Sequence, residues 1–382
     1  MNVKLRPAWV EINREKAIHN FLEVRRAVGP NVKVCAVVKA DCYGLGAIEM
    51  SKMYLENGAD MFAVAVIGEA FELRQEIKGK DILVLGYTNE EFYEDAINED
   101  ITLTIYNYEH AVKLNKTAVK LNKTAEKLNK TAKIHIKVET GMNRLGFLPT
   151  EENADKVAEI SKLKNIKVIG AFSHQAKADE KDKTTAHMQA GRFIDFMKML
   201  EERNVEIPVK HIANSATIIE MPEYYFNMVR PGIILYGFYP SDEVSKEEYK
   251  FEICATLKAR VANVKTLEAG EGIGYGHLFK TEKPTVVGTI PLGYADGYSR
   301  LLSNKGYVVI KGVKCRILGK VCMDQFMVDL SEVENPQIDD VAIVYGDGTD
   351  GAMTAEDVAN MRGTISYEVL TNLGKRLPRI YI

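Results

Sequence analysis

The sequence has no hydrophobic run long enough to cross a membrane and no strong excess of charge of either sign. Its 382 residues are 46% hydrophobic and 27% charged, with a formal net charge of −3, which is ordinary for a globular protein. A membrane span needs about 20 apolar residues, and a nucleic-acid-binding surface usually carries a basic excess. The N-terminal stretch MNVKLRPAWVEINREK also lacks the apolar segment of a signal peptide. We therefore expect a cytoplasmic protein that binds neither membrane nor nucleic acid.

Cysteine and histidine are too sparse and too scattered for a disulfide framework or a metal centre. The five cysteines form no CxxC pair, and an odd number without an export signal is typical of reduced thiols. The seven histidines show neither metal-ligand spacing nor an HExxH motif. We expect no metal in this protein.

The first 240 residues alternate between short apolar runs and helical patterns. Helical patterns separate most of the runs, as at 150–164 and 181–204. Eight strands alternating with helices are typical of a (β/α)8 barrel. An open doubly wound sheet remains the alternative, because a strand count does not show closure. The predicted strands lie at about 32–39, 61–66, 81–87, 101–106, 133–139, 166–172, 209–214 and 227–236.

After about residue 245 the pattern changes to Val- and Ile-rich runs separated by Gly, Asn and Asp. This pattern is typical of a mostly antiparallel β domain, and a helical piece follows at about 354–374. The stretch AWVEI precedes the first barrel helix, at about 14–28, so we expect it to pair with this region. The predicted domains are a barrel at 12–243 and a β domain made of 1–11 and 244–382.

Residues 112–132 hold three near-identical heptads: VKLNKTA, VKLNKTA and EKLNKTA. Leu114, Leu121 and Leu128 recur every seven residues, with an alanine four positions after each. Three copies with only leucine and alanine on one face are weak evidence for a coiled coil. We expect a surface helix of the barrel, lengthened by tandem duplication, since each heptad rotates the chain by only about 20°.

Polar residues stand where the predicted barrel strands end. The carboxyl ends of barrel strands meet at one mouth, where the chemistry of such folds takes place. Each residue alone has a structural explanation, such as a solvated cation or a helix N-cap. Their coincidence at one mouth favours a binding site. The residues are Lys39, Lys137, Arg144, His174, Ser215 and Arg230.

Lys39 suggests the type of chemistry. A lysine in a partly desolvated site loses its proton more easily and can form a Schiff base with an aldehyde. Pyridoxal 5′-phosphate is the cofactor that uses this reaction, and its phosphate prefers hydroxyl and backbone N–H donors. Ser215 and the amides of Gly232 and Ile233 are suitable donors.

Eight motifs resemble, in order, those of the bacterial alanine racemases, which are fold-type III pyridoxal-phosphate enzymes. AVVKADCYGLG (36–46) resembles the family's cofactor-attachment site, and KVETGMNRLG, HIANSA and RPGIILYG resemble further motifs. GYGHLF, PLGYADGYSR, GKVCMDQ and the pair ISYEVL…RLPRIY complete the set. The resemblance covers essentially the whole chain. It implies an isomerase that interconverts L-alanine and D-alanine and supplies D-alanine for the peptidoglycan of the cell wall.

The resemblance implies catalytic roles for four residues. Lys39 would carry the cofactor and act as base on one face of the substrate, and Tyr275 would act on the opposite face. His174 would polarise Tyr275. Arg230 would face the pyridine nitrogen, which would stay unprotonated because a guanidinium does not give up its proton.

Other positions match the family's cofactor and substrate contacts. The region around Tyr275 and Met323 comes from the partner subunit in this family, so the resemblance implies a homodimer with shared active sites. Lys137 matches a lysine that is often carbamylated. The substrate-binding set is Arg144, Met323 and Asp324. The cofactor-binding set is Lys39, Tyr43, Arg144, His174, Ser215, Arg230, Gly232, Ile233 and Tyr367.

Three alternative functions remain open. Pyridoxal-phosphate decarboxylases share a similar two-domain plan but carry a glutamate where Arg230 stands. Non-catalytic cofactor-binding proteins of this barrel type lack the second domain and Tyr275. Serine or broad-specificity racemases tend to carry a smaller or different residue at Tyr367, where a tyrosine should crowd any side chain larger than a methyl. Alanine is therefore the expected substrate.

Overall fold

Eight parallel strands form a nearly closed barrel in the first part of the chain. The structure is a computed structural model that describes residues 6–124 and 130–382. The first nine strands are β1 (Ala8–Ile12), β2 (Lys33–Val37), β3 (Met61–Val64), β4 (Asp81–Val84), β5 (Thr102–Ile105), β6 (Ala132–Lys137), β7 (Ile166–Phe172), β8 (Val209–His211) and β9 (Met228–Val229). Strands β2–β9 pair in the order β8-β7-β6-β5-β4-β3-β2-β9. The predicted barrel is confirmed.

Asn227 bridges the gap between β8 and β9, the two ends of this sheet. Its Oδ1 accepts the backbone N–H of Lys210 at 2.7 Å, and its Nδ2 donates to the carbonyl of Pro208 at 2.7 Å. Past the strand ends, the N–H of Arg230 donates to the carbonyl of Ala213 at 2.9 Å. These bonds bring the two edges together, which an open sheet would not do.

The larger helices bury apolar faces at the spacing of three and four that an amphipathic helix requires. In the helix that spans Thr184–Glu202, for example, Ala186, Ala190, Phe193, Met197 and Leu200 are buried. The helices are α1 (Arg14–Val28), α2 (Lys39–Gly44), α3 (Ala47–Glu56), α4 (Ile67–Glu76), α5 (Tyr93–Asn98), α6 (Tyr108–Thr124), α7 (Glu151–Ser161), α8 (Thr184–Glu202), α9 (Ser215–Glu220), α10 (Ala355–Arg362) and α11 (Ser366–Thr371). In the part of the chain that the structure describes, no helix is long and apolar enough to span a bilayer.

The rest of the chain is mostly antiparallel β structure, as predicted. A nine-stranded sheet has the order β11-β14-β17-β16-β15-β18-β10-β1-β19, and β12 pairs with β13. β1 runs antiparallel to β10 and parallel to β19. The exact domain boundaries stay a prediction. The strands are β10 (Ala255–Arg260), β11 (Asn263–Leu267), β12 (Gly272–Ile273), β13 (Phe279–Lys280), β14 (Thr285–Ile290), β15 (Tyr307–Ile310), β16 (Val313–Leu318), β17 (Phe326–Asp329), β18 (Val341–Tyr345) and β19 (Arg379–Tyr381).

The heptad repeats differ from the sequence prediction. α6 contains the first heptad and most of the second, and it buries Leu114 and Ala118. The third heptad is not all helical, because Ala132 already begins β6. The expectation of one helix over 112–132 is wrong there, since the hydrogen bonds of the parallel ladder between β6 and β7 override the helical pattern. Residues 125–129 lie outside the described residues.

The C-terminal segment packs against the turn that follows β2. The Nε of Arg379 donates to the carbonyl of Gly44 at 2.9 Å, and the hydroxyl of Tyr381 donates to the carbonyl of Leu45 at 2.7 Å. Gly44 has φ +83°, and a Cβ there would overlap the carbonyl oxygen of Leu370 in α11. This close approach places two domains in contact beside the end of β2.

We expect Gly44→Ala to destabilise the protein by about 2–4 kcal/mol, from backbone strain at positive φ and the overlap with Leu370. Gly58→Ala is the matched control, because Gly58 has φ +97° but no atom within 4 Å of the position that a Cβ would take, so its cost should be about 1 kcal/mol. Denaturant unfolding of the two variants measures both costs. Equal losses of unfolding free energy in the two variants would show that Gly44 is not in tight contact with Leu370 of α11.

Candidate active site

A cavity of about 690 Å³ opens at the carboxyl ends of the barrel strands. Parallel strands bring their ends to one mouth, so residues far apart in the sequence share this cavity. Neither described stretch of the chain holds a group of histidine, cysteine and carboxylate side chains placed to bind a metal ion. The predicted site residues that line the cavity are Lys39, Tyr43, Lys137, Arg144, His174, Ser215, Arg230, Gly232, Ile233 and Tyr367.

The backbone after Lys39 is left-handed over four consecutive residues. Ala40–Tyr43 have φ values from +53° to +55°, a region that costs an L-residue about 1–2 kcal/mol. Glu69 stabilises this turn, since its Oε1 accepts the N–H of Ala40 at 2.6 Å and its Oε2 accepts the N–H of Ala65 at 2.8 Å. The turn thereby places Lys39, the first residue of α2, in the wall of the cavity. No pattern in the sequence indicates the role of Glu69, because its partners are backbone atoms.

The Lys39 side chain is suited to act as a free amine. Among the described residues, its Nζ has no hydrogen-bond or ion-pair partner. Burial lowers the pKa of Lys39, and the guanidinium groups of Arg144 and Arg230 lower it further, against the opposing effect of Glu69. A lysine with a lowered pKa more often presents the lone pair that nucleophilic or base chemistry needs.

Arg230 is a buried cation whose protein partners, within the described chain, are all neutral. Its Nη1 donates to the Nδ1 and carbonyl of His211, at 2.7 and 3.1 Å. Its Nη2 donates to the carbonyls of Ser173 and Ile212, at 2.8 and 3.2 Å, and lies 3.3 Å from the Nδ1 of His174. Burial lowers the pKa of Arg230 to about 10. The Nε–H is the donor left for a ligand in the cavity.

Two further cations stand beside Arg230. Lys137 is 4% exposed, and its Nζ donates to the carbonyl of Val138 at 2.7 Å. Burial lowers the pKa of Lys137 to about 7; Glu139 opposes this shift, while Arg230 and Arg144 add to it. Glu139 also accepts the backbone N–H of Arg144 at 3.0 Å, and so shapes the loop that carries this arginine.

Hydroxyl and amide donors gather on another wall of the cavity. Ser215 accepts the N–H of Gly232 at 2.9 Å. A Cβ at Gly232 would lie 2.7 Å from the hydroxyl of Tyr43, so glycine lets this hydroxyl lie close to the backbone beside Ser215. The rings of Tyr43 and Tyr367 lie 6.0 Å apart. Burial raises the pKa of both phenols, which keeps them protonated as hydrogen-bond donors.

Three predicted site residues do not line this cavity. Tyr275 is 72% exposed and Met323 is 53% exposed. The Oδ1 of Asp324 accepts the Nη2 of Arg376 at 2.8 Å. The structure therefore separates these three residues from the other predicted site residues within one chain. His174, which the sequence analysis paired with Tyr275, lies half-buried in the cavity wall. Desolvation and the charge of Arg230 lower its pKa well below the ordinary value.

Two family models match the chain. The alanine racemase N-terminal domain matches residues 12–240, and the alanine racemase C-terminal domain matches residues 254–381. The chain belongs to the alanine racemase family. The alanine racemase of Clostridium tetani is 45% identical over 99% of this chain and 96% of its own length. That of Methanococcus maripaludis is 45% identical over 98% of this chain and 99% of its own.

The fold agrees with this family. The solved structure of an alanine racemase from Clostridium difficile 630 in complex with cycloserine matches with a TM-score of 0.92 at 38% identity. The match covers 98% of this chain and 96% of the other. The predicted resemblance to the alanine racemases is confirmed.

The pKa of Lys137 leads to a testable pH dependence. The charged amine is buried, so it penalises folding fully below about pH 7. The penalty is lost as the pH rises towards about 10.4, the pKa of an unfolded lysine. In cofactor-free protein and bicarbonate-free buffer, the stability gain of Lys137→Met over the wild type should fall by about 2–3 kcal/mol from pH 6 to pH 9. Denaturant unfolding at several pH values measures it.

Lys133→Met is the control on the same strand. The Lys133 ammonium pairs with Asp81 and Asp100, both at 2.8 Å, and its pKa is raised although burial opposes the shift. The stability of Lys133→Met relative to the wild type should therefore not change between pH 6 and pH 9. The same pH dependence in both variants would contradict the lowered pKa of Lys137.

Proposed function

We propose that this chain is an alanine racemase that interconverts L-alanine and D-alanine with pyridoxal 5′-phosphate as its cofactor. The observation that carries the proposal is the half-buried lysine at the end of β2, Lys39, whose amine has no partner among the described residues. It shares one cavity with buried cations and hydroxyl donors. Membership of the alanine racemase family supports the same conclusion.

The residues of the cavity fit the cofactor. Four cationic side chains and two carboxylates, Asp179 and Glu368, line it among the described residues. Buried cations without carboxylate partners favour an anionic ligand, and the phosphate of the cofactor is such a group. When bound, pyridoxal phosphate supplies the electron sink that makes the α-proton of an amino acid acidic.

The residues of this chain divide the binding between them. Tyr43, Ser215, Ile233 and Tyr367 would donate hydrogen bonds to the phosphate. The N–H of Gly232, which donates to Ser215 in this structure, would turn to the phosphate when the cofactor binds. Lys39 would attach the cofactor and, as a free amine, move the α-proton on one face of the substrate.

The two arginines would hold the cofactor ring. The Nε–H of Arg230 would donate to the ring nitrogen. A guanidinium keeps its proton, so this nitrogen would stay unprotonated, which limits side reactions such as transamination. This role argues against a decarboxylase. Arg144 would contact the phenolic oxygen of the ring and the substrate.

Racemisation needs a second group on the opposite face, and we assign this role to Tyr275. Within one chain Tyr275 is exposed and lies outside the cavity, as do Met323 and Asp324. A second copy of the chain would supply these residues, with His174 polarising the phenol of the partner's Tyr275. The exposed apolar side chains Leu278 and Leu301, at 50% and 60%, favour coverage of this surface. We therefore propose a homodimer with shared active sites.

Lys137 is a candidate for carbamylation. Its lowered pKa leaves much of the amine neutral near pH 8, and a neutral amine adds CO₂ with release of one proton. The carbamate would replace a cation beside Arg144 by an anion, which removes a like-charge repulsion. The D-alanine produced would serve peptidoglycan synthesis in the cytoplasm.

We expect the purified holoenzyme to racemise both alanine enantiomers, and L-serine about 10–100 times less efficiently in kcat/KM, because Tyr367 crowds a larger side chain. Chiral chromatography of the products measures both reactions. Lys39→Ala should lower the rate by about 10³-fold or more and lose the visible absorbance of covalently bound cofactor. Equal rates with serine would favour the broad-specificity alternative, and an active Lys39→Ala variant would refute the role of Lys39.

A mixture of two inactive variants tests the shared site. Lys39→Ala and Tyr275→Phe should each be nearly inactive as homodimers. When the two chains are co-expressed, half of the dimers are mixed, and each mixed dimer has one site with both an intact Lys39 and an intact Tyr275. Co-expression should restore about a quarter of the wild-type activity. No recovery in isolated mixed dimers would show that each chain forms its site alone.

A further inference from the structure

Two fully buried histidines extend from Arg230 into the interior of the barrel. His211 ends β8, and His135 lies on β6 two residues before Lys137, on the same face of the strand. The Nδ1 of His211 lies 2.7 Å from the Nη1 of Arg230. The Nε2 of His211 lies 2.8 Å from the Nδ1 of His135. Neither histidine has a role in the function proposed above.

The chemistry of the groups sets the direction of these hydrogen bonds. A guanidinium only donates, so the Nδ1 of His211 must accept. Neutral His211 then carries its hydrogen on Nε2 and donates it to the Nδ1 of His135. His135 in turn carries its hydrogen on Nε2, which is buried and has no partner in the described structure. Burial lowers the pKa of His135 to about 3, in agreement with a neutral pair.

The barrel is locally irregular where it accommodates His135. The register of β6 against β7 shifts between Ile134 and His135, so that Ile169 is an extra residue opposite them. A Cβ at Gly170, the partner of His135, would lie 2.5 Å from the Cε1 of the imidazole. An aliphatic side chain would fill this space without leaving an unpartnered N–H. The imidazole therefore needs a reason other than packing.

We propose that His135 is a positioning residue for Arg230, because it holds His211 in the tautomer that accepts a hydrogen bond from the guanidinium. In the other tautomer, His211 would point an N–H at the Nη1 of Arg230. The guanidinium would then lose the acceptor at the shortest distance, 2.7 Å. Within the described chain, no carboxylate would replace the Nδ1 of His211 as an acceptor for the guanidinium of Arg230.

The consequence for catalysis rests on the proposed function. The Nη groups of Arg230 are fixed by protein acceptors, and this fixes the Nε–H that would meet the ring nitrogen of the cofactor. A guanidinium that is free to rotate would hold this hydrogen bond less well. A weaker hydrogen bond to the ring nitrogen should raise the ratio of transamination to racemisation, since an unprotonated ring nitrogen disfavours transamination.

His135→Asn and His135→Leu form a matched pair of variants. Asparagine and leucine have nearly the same shape, but only asparagine offers an acceptor close to the position of the imidazole Nδ1. A structural role through packing alone would affect both variants equally. An acceptor role would affect only the leucine variant.

The first measurement is ¹⁵N NMR of the histidine side chains in the purified full-length protein, without and with cofactor. We expect His211 to carry its hydrogen on Nε2 in the wild type and in His135→Asn, and to gain the other tautomer in His135→Leu. A wild-type His211 protonated on Nδ1 would overturn the proposal, even if neither variant folds. Identical His211 tautomers in the two folded variants would also overturn it.

The second measurement is the ratio of transamination to racemisation in the holoenzyme with alanine. His135→Leu should raise this ratio about tenfold, as the loss of one buried hydrogen bond predicts, and His135→Asn should stay near the wild type. Equal ratios in the two variants would contradict the proposal. A wild type that binds no cofactor or does not racemise alanine would instead refute the proposed function, while the tautomer measurement would still test His135.

Discussion

The buried guanidinium of Arg230, with only neutral acceptors around it among the described residues, is the constraint on which the rest of the site depends. A buried cation without a carboxylate favours an electron-rich or anionic ligand. Its charge also lowers the pKa of Lys39 and Lys137, after the larger effect of burial. The same field that would attract an anionic cofactor therefore helps to leave Lys39 with a free lone pair. Binding and reactivity are therefore linked through the positive charge of the cavity, to which Arg144 contributes with Arg230.

The geometry of Lys39 depends on the packing of the two domains. The left-handed turn of Ala40–Tyr43 is intrinsically unfavourable, and contacts on both sides hold it. Glu69 binds its start from the barrel, while Arg379 and Tyr381 bind the backbone that follows it. The β domain thus supports the lysine within a single chain. Strain at this turn is offset by contacts that form only in the complete fold.

Much of the fold and of the cavity could be predicted from the sequence. Buried parallel strands are short apolar runs, and their ends are marked by Lys39, Lys137, His174 and Arg230, so a local pattern was enough to place them. The structure of the third heptad, in contrast, could not be predicted from the local pattern. Its helical spacing continues up to Ala132, but the β6–β7 ladder decides the structure there. Local propensity does not contain that hydrogen-bonding partner.

The sequence by itself determined where the barrel strands lie along the chain, which residue types stand at their ends and, through its motifs, the family. Only the tertiary structure decided that Glu69 caps the turn after Lys39 and that His135 supports Arg230 through His211. It also decided that Tyr275 lies outside the cavity of its own chain. These contacts join residues far apart in the sequence, and hydrogen bonds to backbone atoms or neutral rings leave no periodic pattern. Their distances and directions exist only once the barrel has closed.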